Sequence, residues 1–331
     1  MVASISQIVR RNRKTASPPR RSALKLLKYS GLVLAAAAYT GVVPGKGPAI
    51  EVKDLTPKFM TFYRAANAEH ASPDRRFQLW KEDYDFAAVP PTAEGDRLAR
   101  AMPDKAWPNY PPVITRIEKG AAAIEPSPQG ELARVVDLLR PGKPIHLRLI
   151  VFVGGFENNT FTVGENGRAT VAIPVEEDAH DLGPAMAEEF THAVRIEIGA
   201  DAGGWVRTVG ETALDLGLAL RVTQHLYPDR STASFLEIAS ESGWLAKAKA
   251  NRSAVLRDVR TAVASDRSED VMRFTMGKGP SGLDREAYYA GWVVVGYWLQ
   301  HGMTFAQIAR IPEGEAPTMV RTAIDSMLTE Q

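Results

Sequence analysis

Glu188-Glu189-Phe190-Thr191-His192, set in the run Pro184-Ala185-Met186-Ala187 before it and Ala193-Val194-Arg195 after it, decides how this chain is read. On a helix, Glu188 and His192 stand one turn apart on the same face, with Glu189 beside them. A His-Glu-x-x-His string in that setting binds zinc through its two imidazoles and uses the intervening Glu to activate water. Here Glu189 holds the general-base position and His192 the second-ligand position, while Glu188 stands where the first imidazole would be. Glu211 follows His192 after eighteen intervening residues and offers a carboxylate from the next helix as third ligand. A plainer explanation competes with this one. Pro184 sits near the first turn of a helix expected to run to Gly199, and carboxylates near a helix N-terminus are favoured by the macrodipole.

Working outward, the pattern before this helix alternates. Ile145, Leu147, Leu149, Val151 and Val153 share one side of a strand, with His146 and Arg148 on the other. Asn166-Gly167 lies between Thr160–Val163 and Ala169–Ile173, a strong hairpin signal. A small sheet over 144–175 therefore feeds the motif helix. Earlier still, Phe59, Phe62, Tyr63, Phe77 and Trp80 recur at helical spacing around a break at Ser72-Pro73, and Leu132 to Leu139 forms another helix. After the motif, helices are expected over 206–226, 254–264, 285–301 and 318–328. The fold class expected is α+β: a helical part over 51–143, a small sheet, and a helical part over 180–331.

Bulk properties narrow the function. Of 40 Lys and Arg, nine fall in the first fifty residues, which hold no acidic residue. The remaining 31 basic against 39 acidic residues leave the body at a net charge of −8, which argues against nucleic acid as a partner. With no Cys, disulfides, thiolate nucleophiles and Cys-ligated metals are excluded. No G-x-S-x-G elbow occurs, Gly277 to Gly282 lacks P-loop spacing, and Gly154-Gly155 precedes a hairpin rather than a helix.

The N-terminus reads as an address. Eight Lys and Arg from Arg10 to Lys28 precede an apolar run from Tyr29 to Val43, about 15 residues and so short of a comfortable membrane span. Pro19-Arg20-Arg21-Ser22-Ala23-Leu24-Lys25 resembles a twin-arginine signal, and Ala35 to Ala38 offers small-residue cleavage sites. Residues 1–43 are thus expected to be an export signal cleaved near residue 38, with an uncleaved anchor through 29–43 as the alternative. A Pro/Gly linker over 44–50 follows, then a folded domain over 51–331. The expected location is periplasmic or extracellular.

Four stretches carry a family resemblance: Arg76-Phe77-Gln78-Leu79-Trp80; the strands around Val151 and Val171; Glu188 to Arg195; and Tyr288 to Tyr297. Thr208-Val209-Gly210-Glu211 through Gly217-Leu218-Ala219 adds a fifth. Together they make the chain similar to the predicted zinc-dependent proteases of bacteria, a gluzincin-like group, over about Phe59 to Ile311. The resemblance implies a gluzincin-like fold with a sheet leading into the metal-site helix. It implies a peptide or protein as substrate or ligand and zinc as cofactor, with Glu189 as general base and Tyr288, or its neighbour Tyr289, polarising the carbonyl. It also departs from the family pattern, because the Glu expected before Gly217-Leu218-Ala219 is Leu216. Spacing nominates Glu211 as third ligand; local context nominates the Leu216 position. Asp215 is a candidate ligand or acceptor behind His192, and His180 a candidate replacement ligand.

Two functions remain open. A metal held by Glu188, His192 and Glu211 would carry one more negative charge than a His-His-Glu site. That weakens the activation of water and tilts preference from zinc towards manganese. The other function is a pseudopeptidase that holds no metal tightly and binds a peptide or protein without cutting it.

Overall fold

The computed structural model describes residues 47–89, 93–157, 159–204, 207–236 and 243–330. Residues 1–43, expected to be an export signal or anchor, and the first part of the expected linker lie outside them. In chain order the elements are β1 (Ala49–Asp54), α1 (Thr56–Ala68), α2 (Pro73–Asp83), α3 (Ala93–Ala106), α4 (Ile114–Lys119) and α5 (Pro128–Leu139). Then come β2 (His146–Phe152), β3 (Phe161–Glu165), β4 (Arg168–Pro174), α6 (Ala179–Glu197) and α7 (Val209–Leu226). The rest is helical: α8 (Thr232–Leu236), α9 (Trp244–Ala250), α10 (Arg252–Ala262), α11 (Ser268–Thr275), α12 (Glu286–Gln300), α13 (Phe305–Ala309) and α14 (Ala316–Thr329). The fold is α+β, a small mixed sheet with a majority of helix.

The sheet order is β1-β2-β4-β3. β1 and β2 are parallel, β2 and β4 are parallel, and β3 closes antiparallel on β4 through Asn166-Gly167. Both turn residues have positive φ, 53° and 71°, as a tight two-residue hairpin requires. β2 is expected to alternate, and does so only at its start: His146 is exposed and Leu147 buried, but Leu149 through Phe152 are buried without interruption. Parallel pairing on both sides, with helices over the faces, removes the polar side.

One element corrects the sequence reading. β1 lies inside the stretch expected to be linker and helix, so the sheet does not begin at 144. Its strand pairs Ala49 with His146 through Asp54 with Val151. As an edge strand it keeps Val52 48% exposed, so no buried periodicity marks it. Asp54 then turns the chain into α1, accepting from the Thr56 N–H at 2.9 Å, the Thr56 hydroxyl at 2.7 Å and the Ala121 N–H at 2.8 Å. The helices between β1 and β2 form one aromatic cluster, in which Phe59 meets Phe62, Tyr84 and Tyr110 edge to face at 4.9 to 5.5 Å. Tyr84 and Tyr110 anchor it to the end of β2, bonding the Val153 and Gly154 carbonyls at 2.9 and 2.8 Å.

α6 begins at Ala179, more than a turn before the start expected from Pro184. Asp178 caps it, accepting from the His180 N–H at 2.8 Å. Pro184 lies inside the helix and cannot donate to the His180 carbonyl; the Arg230 guanidinium donates there instead. α7 and α12 cross at Gly217 and Gly291, where backbone meets backbone. Among the described residues no helix is long and apolar enough to cross a membrane.

Candidate functional site

α6 delivers Glu188, Glu189, His192 and Arg195 to one region, and α7 delivers Asp215 from the facing helix. Glu188, Glu189 and Tyr288 are half-buried, and the His192 side chain is 13% exposed, so this face reaches solvent. Behind it lies a buried ionic network. Asp215 Oδ2 is 2.8 Å from His192 Nδ1 and 2.7 Å from Arg207 Nη1, and its Oδ1 is 3.0 Å from Arg195 Nε. The Arg207 contact is a hydrogen bond; the His192 and Arg195 contacts have ion-pair distance without hydrogen-bond alignment. Arg207 also reaches Asp201 Oδ1 at 3.3 Å. Arg195 is 1% exposed and donates to the carbonyls of Ala309 at 2.9 Å and Ile311 at 3.3 Å, fastening the end of α13 to α6.

The charges follow from this geometry. Burial alone would lower the His192 pKa, but the Asp215 carboxylate, helped by Glu189 and Glu188, outweighs it and pushes the group to about 9. Burial works the other way on Asp215, yet His192, Arg207 and Arg195 hold its carboxyl far below the usual range. Glu188 is pushed up to about 7 by burial and by the like charge of Glu189. Glu189 is raised by burial, although the Thr162 hydroxyl donates to it at 2.6 Å. Tyr288 is pushed up to about 12 by burial and then by Glu188, so it lies within electrostatic reach of both carboxyls. Tyr289 is 2% exposed and packs with Trp244 and Trp292 in the core.

Other expected site residues stand elsewhere. Glu211 sits at the first turn of α7 in a capping box: its carboxylate accepts from the Thr208 N–H while its own N–H donates to the Thr208 hydroxyl at 3.1 Å. Its negative charge belongs to that helix end. His180 is exposed in the first turn of α6, eight residues before Glu188 and so about 12 Å away along the axis, and cannot swing in as a ligand. Leu216 is half-buried and has no donor atom. Among the described residues no three His, Asp or Glu side chains are placed to hold a metal ion. The donors present therefore do not fit the Glu188, His192 and Glu211 centre. His192 keeps Nε2, but its Nδ1 faces Asp215, the role of an acceptor behind the imidazole that the sequence offered for Asp215.

Sequence reasoning missed Thr162, Arg195 and Arg207. Arg195 had a signal: it follows His192 by three residues, hence on the same helical face. Thr162 comes from β3 and Arg207 from the connection before α7, and no spacing joins either to α6. No protein-family model, curated protein or solved structure matches this chain. The likeness to the bacterial zinc-dependent proteases rests on the residues quoted for it.

Proposed function

We propose that this chain is an exported, metallopeptidase-like protein of gluzincin-like fold that binds a peptide or protein at the Glu188, Glu189 and Tyr288 face, with hydrolysis weak or lost. The order of parts supports the fold: a sheet running into the motif helix, then helices. The charged N-terminal segment followed by an apolar run supports export. The observation that carries the loss of hydrolysis is the placement of Glu211, the carboxylate that sequence spacing offers as third ligand. Where a peptidase would bring a third donor to the metal, this chain spends Glu211 on a helix cap, and Glu188 stands where the first imidazole would be; Asp215 behind Nδ1 orients the His192 ring and leaves Nε2 as its one donor. Glu189 keeps the general-base position, but a base without an activated water contributes little.

Metal content of the purified full chain by elemental analysis, with His192→Ala as control, tests this. Less than a tenth of an equivalent of zinc or manganese in both is expected, on the order of background for a site with two donors. One equivalent in the wild type, lost in the control, overturns the proposal in favour of an active site using Glu188, His192 and Glu189. Binding has its own test: a pooled-peptide column should retain the wild type more than Tyr288→Ala, and equal retention would move the ligand away from this face.

A further inference from the structure

Gly154 and Gly155 follow β2, and Glu176 follows β4, so the two parallel strands bring them together at one end of the sheet. Glu176 is 2% exposed. Its Oε1 accepts from the Gly154 N–H at 2.8 Å, whereas its Oε2 is enclosed and, among the described residues, meets no donor. A buried carboxyl oxygen with no partner is costly, and such exceptions call for an explanation. Both strands' ends and Glu176 line a small recess, part of it open to solvent. Met102, Phe152 and Pro174 give it apolar walls; Glu157 and Asn159 stand with Glu176 as its polar groups. The Asn159 amide donates to Glu157 Oε2 at 2.9 Å and so orients that second carboxyl. None of these residues belongs to the Glu188 face.

The shape and donors restrict what fits. The enclosed part admits a group about the size of a water molecule, too small for a planar guanidinium fork. An anion would meet two carboxyls. Among the described residues no three His, Asp or Glu side chains are grouped for a metal ion. A primary ammonium is compact, carries three donors and no acceptor, and sits on an apolar stem. We propose that this recess binds a primary ammonium group on a short apolar stem, with Glu176 and Glu157 as its acceptors and Met102 and Phe152 against the stem.

Protonation supports this assignment. Burial, with the like charge of Glu177, pushes Glu176 up to about 8, so it holds a proton at neutral pH. Burial also raises Glu157, against the charge of the exposed Lys105. The other groups facing Glu176 are Tyr84 at the end of α2, Tyr110 and Arg116 of α4. Both tyrosines are driven well above their usual range by burial and stay neutral. Arg116 donates to the Glu176 and Glu177 backbone carbonyls. An entering ammonium would therefore displace the Glu176 proton to the buffer, and both carboxyls would face it ionised.

Calorimetry of the full chain with n-propylammonium at neutral pH, in two buffers of different ionisation heat, tests the proposal. One equivalent should bind with proton release, n-propanol and tetramethylammonium should not, and Glu176→Gln should weaken binding about tenfold or more. Circular dichroism establishes that the variant is folded. Should it fail to fold, Glu157→Gln and the recess-filling Met102→Trp must each weaken binding instead. Two further arms separate the sources of the amine. A dialanine amide that binds only with a free amino terminus points to a peptide end, and binding of small amines alone points to a free amine. No heat from propylammonium up to about 50 mM, or unchanged affinity in folded Glu176→Gln, overturns the proposal.

Discussion

At Asp215 one carboxylate, 3% exposed, meets an imidazole and two guanidinium groups within 3.0 Å. Replacing it by Asn keeps the shape and deletes the charge. Arg195, buried between α6 and α13, then keeps its carbonyl partners but loses its counter-ion, and removing one partner of a buried pair leaves the other's desolvation uncompensated. Asp215→Asn should lose about 3–5 kcal/mol of unfolding free energy by urea denaturation; a loss below about 1 kcal/mol would mean the surface-pair regime applies instead. At this scale the sequence was partly legible. Glu188, Glu189 and His192 stand together because one helix carries them, and a helix can be read from its spacing. Asp215 was legible as an acceptor behind His192 because it sits on the next helix in the same string of residues. Arg207 and Thr162 were not, since only the closed fold brings a connection and a hairpin edge to α6. Glu211 shows the opposite failure: its distance in sequence from His192 fits a ligand, while its distance from Thr208 fits a cap, and the local hydrogen bonds prevail.

The elements hold together most closely where α7 crosses α12. A Cβ on Gly291 would lie 1.9 Å from the Ala213 carbonyl oxygen, and one on Gly217 would lie 2.2 Å from the Gly291 carbonyl oxygen. Both obstacles are backbone, which cannot rotate aside as a side chain can. Gly291→Ala must therefore push the two helices apart, and should cost on the order of 2–3 kcal/mol or more by overpacking. Gly314→Ala, with nothing within 4 Å of the added carbon, should stay within about 0.5 kcal/mol of the wild type in the same melts. A small effect at Gly291 would show that α12 can slide without loss. Element boundaries follow the same division between local and distant causes. Asn166-Gly167 announces its hairpin from two residues, because the turn's dihedrals are set there. The start of α6 was misplaced because Pro184 normally marks a first turn, and the guanidinium that relieves its missing hydrogen bond comes from Arg230, beyond α7. β1 was invisible for want of a buried stripe, being an edge strand whose partner lies 97 residues further along the chain.

Across the whole molecule, the buried ionisable groups give stability a direction in pH. Glu176 and Glu188 hold their protons up to about 8 and about 7, against an ordinary 4.5, and His192 holds its proton up to about 9 against 6.5. In each case the folded chain binds a proton that the unfolded chain has released, so folding is favoured by protons and weakens as pH rises. The two carboxyls contribute fully below pH 4.5 and lose that contribution as pH climbs through about 7 and 8. His192 contributes fully below 6.5 and loses its contribution through about 9. Asp215 runs oppositely: its depressed pKa gives a contribution that is present above 3.8 and lost as pH falls below that value. Stability should therefore peak near pH 4, where Asp215 is ionised and the two carboxyls still hold their protons in both states, and fall by on the order of a few kcal/mol by pH 9. Denaturation midpoints taken across that range measure it. Glu176→Gln supplies the sharper comparison, because the amide has no proton to lose. Its curve should be flatter than that of the wild type between pH 4.5 and 8 and parallel to it above, where His192 alone still titrates. A wild-type curve that is level or rising from pH 5 to 8 would mean that Glu176 and Glu188 ionise freely, and that the two ends of this sheet and helix are wetter than their burial implies.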